Sequence, residues 1–392
     1  MNSSRVLLSV NTAWNAWNFR MGLIEAIMKR GHQVVVAAPI DRYAERLAQS
    51  GCGFIDFPMD SNGTHPGRDL QLLLRYLMLF RTQGPVAYLG YTIKPNIYGS
   101  IAARLAGIPV INNIGGLGAS FIDHSMVTRV ARLLYKIALR RSTRVFFQNA
   151  DDQQLFIDAG LTDAALTDLL PGSGIRPGDY NSTPLATREP SNFRFLLVGR
   201  MLINKGVVEY VDAARTIRQK IPGARFQLLG PVNEANPNGV SSAAIAAWEA
   251  EGVIEYLGAA DDVRPYIDSA DCVVLPSYRE GVPRTLLEAA AMARPIIATR
   301  VPGCTDVVEE GVNGLLCQAR DPVDLTEKMM AMIALPLAER ARMGWAGRRK
   351  VEREFDEALV INKYLNVIGD ITARPGQMEH ITIRSSRKDF SS

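Results

Sequence analysis

Histidine and cysteine are scarce in this chain, four of each among 392 residues. Cys52, Cys272, Cys304 and Cys317 form no Cys-x-x-Cys pair, and none stands at zinc-ligand spacing from a histidine. A disulfide framework and a structural zinc site lose their support, and four buried free thiols in a reducing compartment are expected. One-sided charge is also lacking: 44 Lys and Arg stand against 40 Asp and Glu, a net of +4. That is too mild for a nucleic-acid footprint. No apolar run approaches the roughly 18 residues of a spanning helix. The run at Val6–Leu8 is too short for the apolar region of a signal peptide, so a cytoplasmic protein is expected. The segment after the first expected strand reads NTAWNAW and not G-x-G-x-x-G, and no P-loop occurs. Dinucleotide-dependent oxidoreduction and P-loop chemistry therefore have no motif to rest on.

What is present is alternation. Short runs that are apolar throughout, at 6–10, 33–38, 109–112, 144–148, 193–198, 225–229, 272–275 and 296–298, alternate with amphipathic stretches such as 18–30. Strands of that kind between helices imply parallel sheets covered on both faces. The chain is too long for one ordinary domain. Residues 183–192 (TPLATREPSN) lack apolar periodicity and read as a linker. The expected division is one domain over 1–185, a second over 186–354, a last helix over 355–372 and a disordered tail over 373–392. Open α/β sheets bind ligands at the carboxyl ends of their strands, so two such domains facing a cleft put function in those loops.

Two constellations occupy such loops. In FRFLLVGRMLINKG, Arg200 ends a strand after Gly199 and Lys205 precedes a helix. Together they suit a departing diphosphate, Arg as a planar fork and Lys as a point charge. A pair of solvated loop cations fits the same residues. In CVVLPSYREGVPRTLLEAA, Glu280 precedes a Gly281-Val282-Pro283 turn and Glu288 lies in the following helix. Gly281 lets backbone approach a ligand, Pro283 suits the first helical position, and the first-turn amides can accept an anion. Glu280 can accept from sugar hydroxyls and Glu288 from a ribose. Chance also produces two Glu eight apart; their placement after a buried strand is the stronger signal.

The order of VGRMLINKG, FQLLGP, IEYLGAADDV, the long stretch ADCVVLPSYREGVPRTLLEAAAMARPIIATRVPGCTDVVEEGVNGLL and DPVDL resembles retaining glycosyltransferases of family 4 over residues 193–354. The N-terminal half is more loosely similar, through FRMGLIEAIMKRGHQVVVAAP and YTIKPNIYGSIAARLAGIPVINNIGGLG, to the branch acting on polyprenyl-diphosphate-linked saccharides. The resemblance implies the GT-B fold, two Rossmann-like doubly wound domains facing a cleft, with the last helix crossing back to the first domain. It implies a nucleotide-sugar donor, UDP-linked, as substrate, with no metal and no other cofactor. By the resemblance Arg200 and Lys205 bind the donor diphosphate, Glu280 the sugar and Glu288 the ribose. Gly281, Val282, Pro283 and Leu287 belong to the donor turn, and Leu257 and Gly258 to the segment near the base. Catalytic roles fall to Glu280, Lys205 and Arg200. Ala293 stands where Gly is usual, Arg300 where Asp is common, and Thr305-Asp306 where Arg-Glu is common.

The acceptor side is read from fewer residues. Arg20 fits an acceptor phosphate or a plain helix-face charge. Asn15, flanked by Trp14 and Trp17, fits an acceptor channel or packing under a loop. His124, after the Gly115–Gly118 loop, fits an acceptor contact or an inert loop histidine. In residues 121–141 (FIDHSMVTRVARLLYKIALRR), the basic run Arg129–Arg141 recurs with Val130, Leu133, Leu134, Ile137 and Ala138. Such a helix either lies on an anionic membrane surface or turns its apolar stripe to its own sheet. No Asp-x-Asp occurs, so leaving-group charge falls to Arg200, Lys205 and the helix start. A nucleotide-sugar epimerase or hydrolase, and a non-catalytic sugar-nucleotide-binding module, are the competing functions.

Overall fold

The computed structural model describes residues 4–60, 65–116 and 126–373. The first domain is a seven-stranded parallel sheet of β1 (Arg5–Ser9), β2 (Gln33–Ala38), β3 (Gly53–Asp56), β4 (Ala87–Tyr91), β5 (Val110–Ile114), β6 (Arg144–Phe147) and β7 (Thr167–Leu169). Its order is β3-β2-β1-β4-β5-β6-β7. The second is a six-stranded parallel sheet of β8 (Arg194–Val198), β9 (Arg225–Leu229), β10 (Glu255–Tyr256), β11 (Cys272–Leu275), β12 (Ile296–Thr299) and β13 (Gly314–Cys317). Its order is β10-β9-β8-β11-β12-β13. This is the doubly wound GT-B architecture. Each sheet reverses its winding once, between β1 and β4 and between β8 and β11, and the loops after those four strands face a common cleft. Strands β3, β4, β7, β10 and β13 have no counterpart among the apolar runs of the sequence. All four cysteines are buried and free.

The first helix, Ala13–Lys29, begins five residues earlier than its apolar pattern suggests. Thr12 caps it, its side chain accepting from Asn15 N, so residues 13–17 of the NTAWNAW segment are helix. The helical period then turns Ala16, Arg20, Leu23, Ile24 and Ile27 inward.

The chain crosses between domains twice, side by side. Ile175 N donates to Phe355 O at 2.9 Å, and Glu357 N donates to Ile175 O at 2.8 Å. The helix Leu337–Glu354 packs on the second domain, whose core takes Val351 and Phe355. The next helix, Glu357–Thr372, returns to the first: Val360, Tyr364 and Ile368 join the core with Leu23, Ile24 and Phe146. Asn113 Nδ2 donates to Tyr364 Oη at 3.1 Å, tying that helix to the end of β5. Residues 183–192 are tied to the second domain at Thr183 and Arg188. Buried Arg294 donates to Thr183 O at 2.9 Å, and Arg188 pairs with Asp271 at 2.7 Å.

On the outer face of the first domain, the helix Met126–Leu139 buries Tyr135, Ala138 and Leu139 while Val130, Leu133 and Ile137 stay exposed beside Arg129, Lys136 and Arg140. Its inward stripe covers its own sheet, and a second apolar stripe faces solvent. Among the described residues no helix is long and apolar enough to cross a membrane.

Candidate active site

A cavity of about 450 Å³ lies between the domains. The second domain lines it with Gly199, Arg200, Lys205, Glu280, Gly281, Val282 and Pro283; the first lines it with Asn15, Phe19, Arg20, Tyr91 and Thr92. These residues end or follow β8, β11, β1 and β4, the four strands that flank the two reversals of winding.

Lys205 closes a short 3-10 turn (Ile203–Lys205), and Gly206 then takes φ +74° to start the helix Val207–Lys220. A Cβ on Gly206 would lie 2.1 Å from Pro276 O, so the approach of the two loops requires glycine there. That approach brings Lys205 to Glu280: Nζ donates to the carboxylate, and both side chains are largely buried. The expected sugar carboxylate and the expected diphosphate cation are thus one ion pair. Arg200, exposed, lines the same wall.

Pro283 is the cap before the helix Arg284–Ala291 and not its first residue, with φ −72° and ψ 118°. Leu287, at zero exposure, packs in the core of the second domain and not in the cavity wall. Glu288 sits behind the cavity wall. Its carboxylate accepts from Arg284 Nε at 3.2 Å and from Tyr180 Oη at 3.1 Å. Burial nevertheless pushes its pKa above the ordinary carboxylate value, outweighing the nearby guanidinium. Leu257 and Gly258 follow β10 beyond the cavity lining; Gly258 O accepts from Gly230 N at 2.7 Å.

On the acceptor side Arg20 is 8% exposed and lies 4.3 Å from the centroid of the Tyr91 ring. Its Nε has no hydrogen-bond partner, and no carboxylate pairs with it among the described residues. Asn15 Oδ1 and Thr92 Oγ1 are also buried and unpartnered. Thr92 has φ +65°, a left-handed conformation costly for a β-branched residue. Phe19, one helical turn beyond Asn15, reaches the cavity; Trp14 instead stacks edge-on against Phe19 at 5.1 Å and Trp17 packs on the core. His124 lies outside the described residues. Sequence reasoning missed Tyr91, Thr92 and Gln148, whose place in the wall depends on strand order.

Two family models meet nearly end to end along the chain. "Glycosyl transferase 4-like domain" matches residues 16–172, and "Glycosyl transferases group 1" matches 192–334. The chain is a glycosyltransferase built of these two family domains. This transferase is 25% identical over 367 residues, 90% of its own length and 94% of the relative's, to the N,N'-diacetylbacillosaminyl-diphospho-undecaprenol alpha-1,3-N-acetylgalactosaminyltransferase of Campylobacter jejuni. It is 25% identical, over 65% of its length and 68% of the relative's, to the UDP-Gal:alpha-D-GlcNAc-diphosphoundecaprenol alpha-1,3-galactosyltransferase of Escherichia coli. In fold it matches Anabaena HepE, solved with UDP and glucose, at a TM-score of 0.77 and 19% identity, over 94% of this transferase and all of HepE.

Proposed function

We propose that the transferase moves a hexose or N-acetylhexosamine from a UDP-sugar to a hydroxyl of a polyprenyl-diphosphate-linked saccharide, with retention at the anomeric carbon, in surface polysaccharide or glycan assembly. The observation that carries this is the cavity itself. It joins a cation–carboxylate pair and Arg200 on one wall to an unpaired buried arginine and unpartnered hydrogen-bond acceptors on the other. In this reading Arg200 and Lys205 take the diphosphate without a metal, Glu280 accepts from the sugar hydroxyls, and Glu288 takes the ribose in exchange for its Tyr180 bond. The anomeric C–O bond to the diphosphate breaks as the acceptor oxygen bonds the same face. The departing diphosphate oxygen accepts the acceptor proton. Asn15 and Thr92 accept from acceptor hydroxyls or amides, and Arg20 binds an acceptor phosphate. The names of the relatives support UDP and the lipid-linked acceptor.

The exposed stripe of Val130, Leu133 and Ile137 among Arg129, Lys136 and Arg140 supports peripheral docking on the inner face of the cytoplasmic membrane, where such an acceptor resides. The test is a matrix of UDP-sugars against short-chain polyprenyl-diphosphate saccharides, with the anomeric configuration of the product read by NMR. Transfer with retention is expected. Isomerisation, hydrolysis without transfer, or binding without turnover would overturn the reading.

A further inference from the structure

The turn that carries Glu280 is gripped from the opposite domain. Arg279 Nη2 donates to the carboxylate of Asp152, whose side chain is fully buried. Asn149 Nδ2 donates to Gly281 O at 3.3 Å, and Val282 N donates to Gln148 Oε1 at 3.1 Å. Residues 279, 281 and 282 are thus each held by the first domain, and Glu280 lies between them. The grip is itself built. Asn149 caps the helix Ala150–Asp158, its Oδ1 accepting from Asp152 N at 2.8 Å, and its Nδ2 lies 3.2 Å from Asp152 Oδ2. The fit leaves no slack: a Cβ on Gly281 would stand 2.4 Å from Gly115 O and 2.5 Å from Gln148 Oε1. The other rim of the cleft is bridged at Asp261, which pairs with exposed Arg42 and accepts from Tyr43 Oη at 2.8 Å.

We propose that Gln148, Asn149 and Asp152, with Arg279, form a closure latch whose members are positioning residues for Glu280. Resting on the function proposed above, the inference is that the Glu280 carboxylate and the amides of its turn take their working geometry only when the domains meet. Separation of the domains removes three hydrogen-bonding partners from the turn at once, while Arg200 and Lys205 stay with the second domain. Diphosphate binding therefore survives opening, and the chemical step does not.

The test uses the full chain. Arg279→Ala and Asn149→Ala are each expected to lower kcat about 100-fold through misplacement of the turn, with KM for the donor and Kd for UDP within about twofold of wild type. The double variant is expected to be no worse than either single one, because the members act as a unit. Arg279→Lys is expected to recover most of the lost kcat, which a purely structural role would not produce without a matching change in melting temperature. Gln148→Ala serves if either variant fails to fold. Near-wild-type kcat in these variants, or a loss confined to UDP affinity, would overturn the latch. Glu280→Gln is run beside them. Full activity there with impaired Arg279→Ala removes Glu280 from the chemistry and leaves the latch standing; the reverse pattern removes the latch and keeps Glu280.

Discussion

Replacing Arg20 by methionine is expected to stabilise the protein while crippling it. Arg20 is 8% exposed, and its guanidinium lies 4.3 Å from the centroid of the Tyr91 ring. Withdrawing a cation from water costs several kcal/mol even after relaxation, and no carboxylate offsets it here. A desolvated cation–π contact returns about 2 kcal/mol. Methionine keeps most of the length and a sulfur–aromatic contact of roughly 0.3–1.5 kcal/mol. The balance favours the variant by about 1 kcal/mol or more, which for a domain of this size is a rise of roughly 2–4 °C in Tm. Charged hydrogen bonds are worth about 1.5–3 kcal/mol, so kcat/KM for a phosphate-bearing acceptor should fall roughly 10- to 150-fold. Donor KM should hold. Scanning calorimetry and acceptor titrations at saturating UDP-sugar measure both. A second comparison closes the argument: a soluble glycosyl diphosphate at 100 times the wild-type Kd should raise the stability of the wild type by about 2.7 kcal/mol and that of Arg20→Met by only about 0.3–1.4 kcal/mol. A fall in Tm with unchanged acceptor kcat/KM would refute the reasoning, because Arg20 would then be a packing residue whose charge water already satisfies.

Lys205→Ala should lower kcat by about 100- to 1,000-fold with far-UV circular dichroism unchanged, and near-normal transfer would end the leaving-group role. Treatment with EDTA should leave transfer intact, and full loss restored by a divalent cation would contradict neutralisation by Arg200 and Lys205. Glu288 binds its proton more tightly folded than unfolded, because burial raises its pKa. Its contribution is therefore fully present below the ordinary glutamate pKa of about 4.3 and is lost as pH rises through the folded value. Urea melts should find Glu288→Gln gaining on the wild type as pH rises from 4 to 7, and a gain on acidification would reverse the sign. Neutralising Arg129, Lys136 and Arg140 together should weaken co-sedimentation with anionic vesicles by roughly 100-fold, at about 1 kcal/mol per charge. Unchanged co-sedimentation would leave the exposed stripe without a lipid partner.

The residues legible in advance share one property: each stands directly after a strand or opens a helix, so local pattern fixes its place. Arg200, Lys205 and Glu280 are of this kind, and they converge because β8 and β11 are neighbours across the reversal of winding. What stayed illegible depends on strand order or on the meeting of the domains. Thr92 follows β4, whose contact with β1 no local pattern announces, and its φ of +65° is invisible in a threonine codon by codon. Ala293 is the instructive middle case. Glycine is usual at its position, and the structure gives the reason: φ is +54°, in the left-handed region, and Gly344 must pass so close that its Cβ would lie 2.0 Å from Ala293 O. The departure was readable, but its cause was not. The latch is furthest from sequence, because Gln148, Asn149 and Asp152 look like any helix start, with an Asn cap and acids in the first turn. Only the arrival of Arg279 at a fully buried Asp152 gives the segment a second task. One segment thus starts a helix and holds the opposite domain's turn around Glu280. A substitution there should uncouple transfer from donor binding while sparing the donor residues themselves.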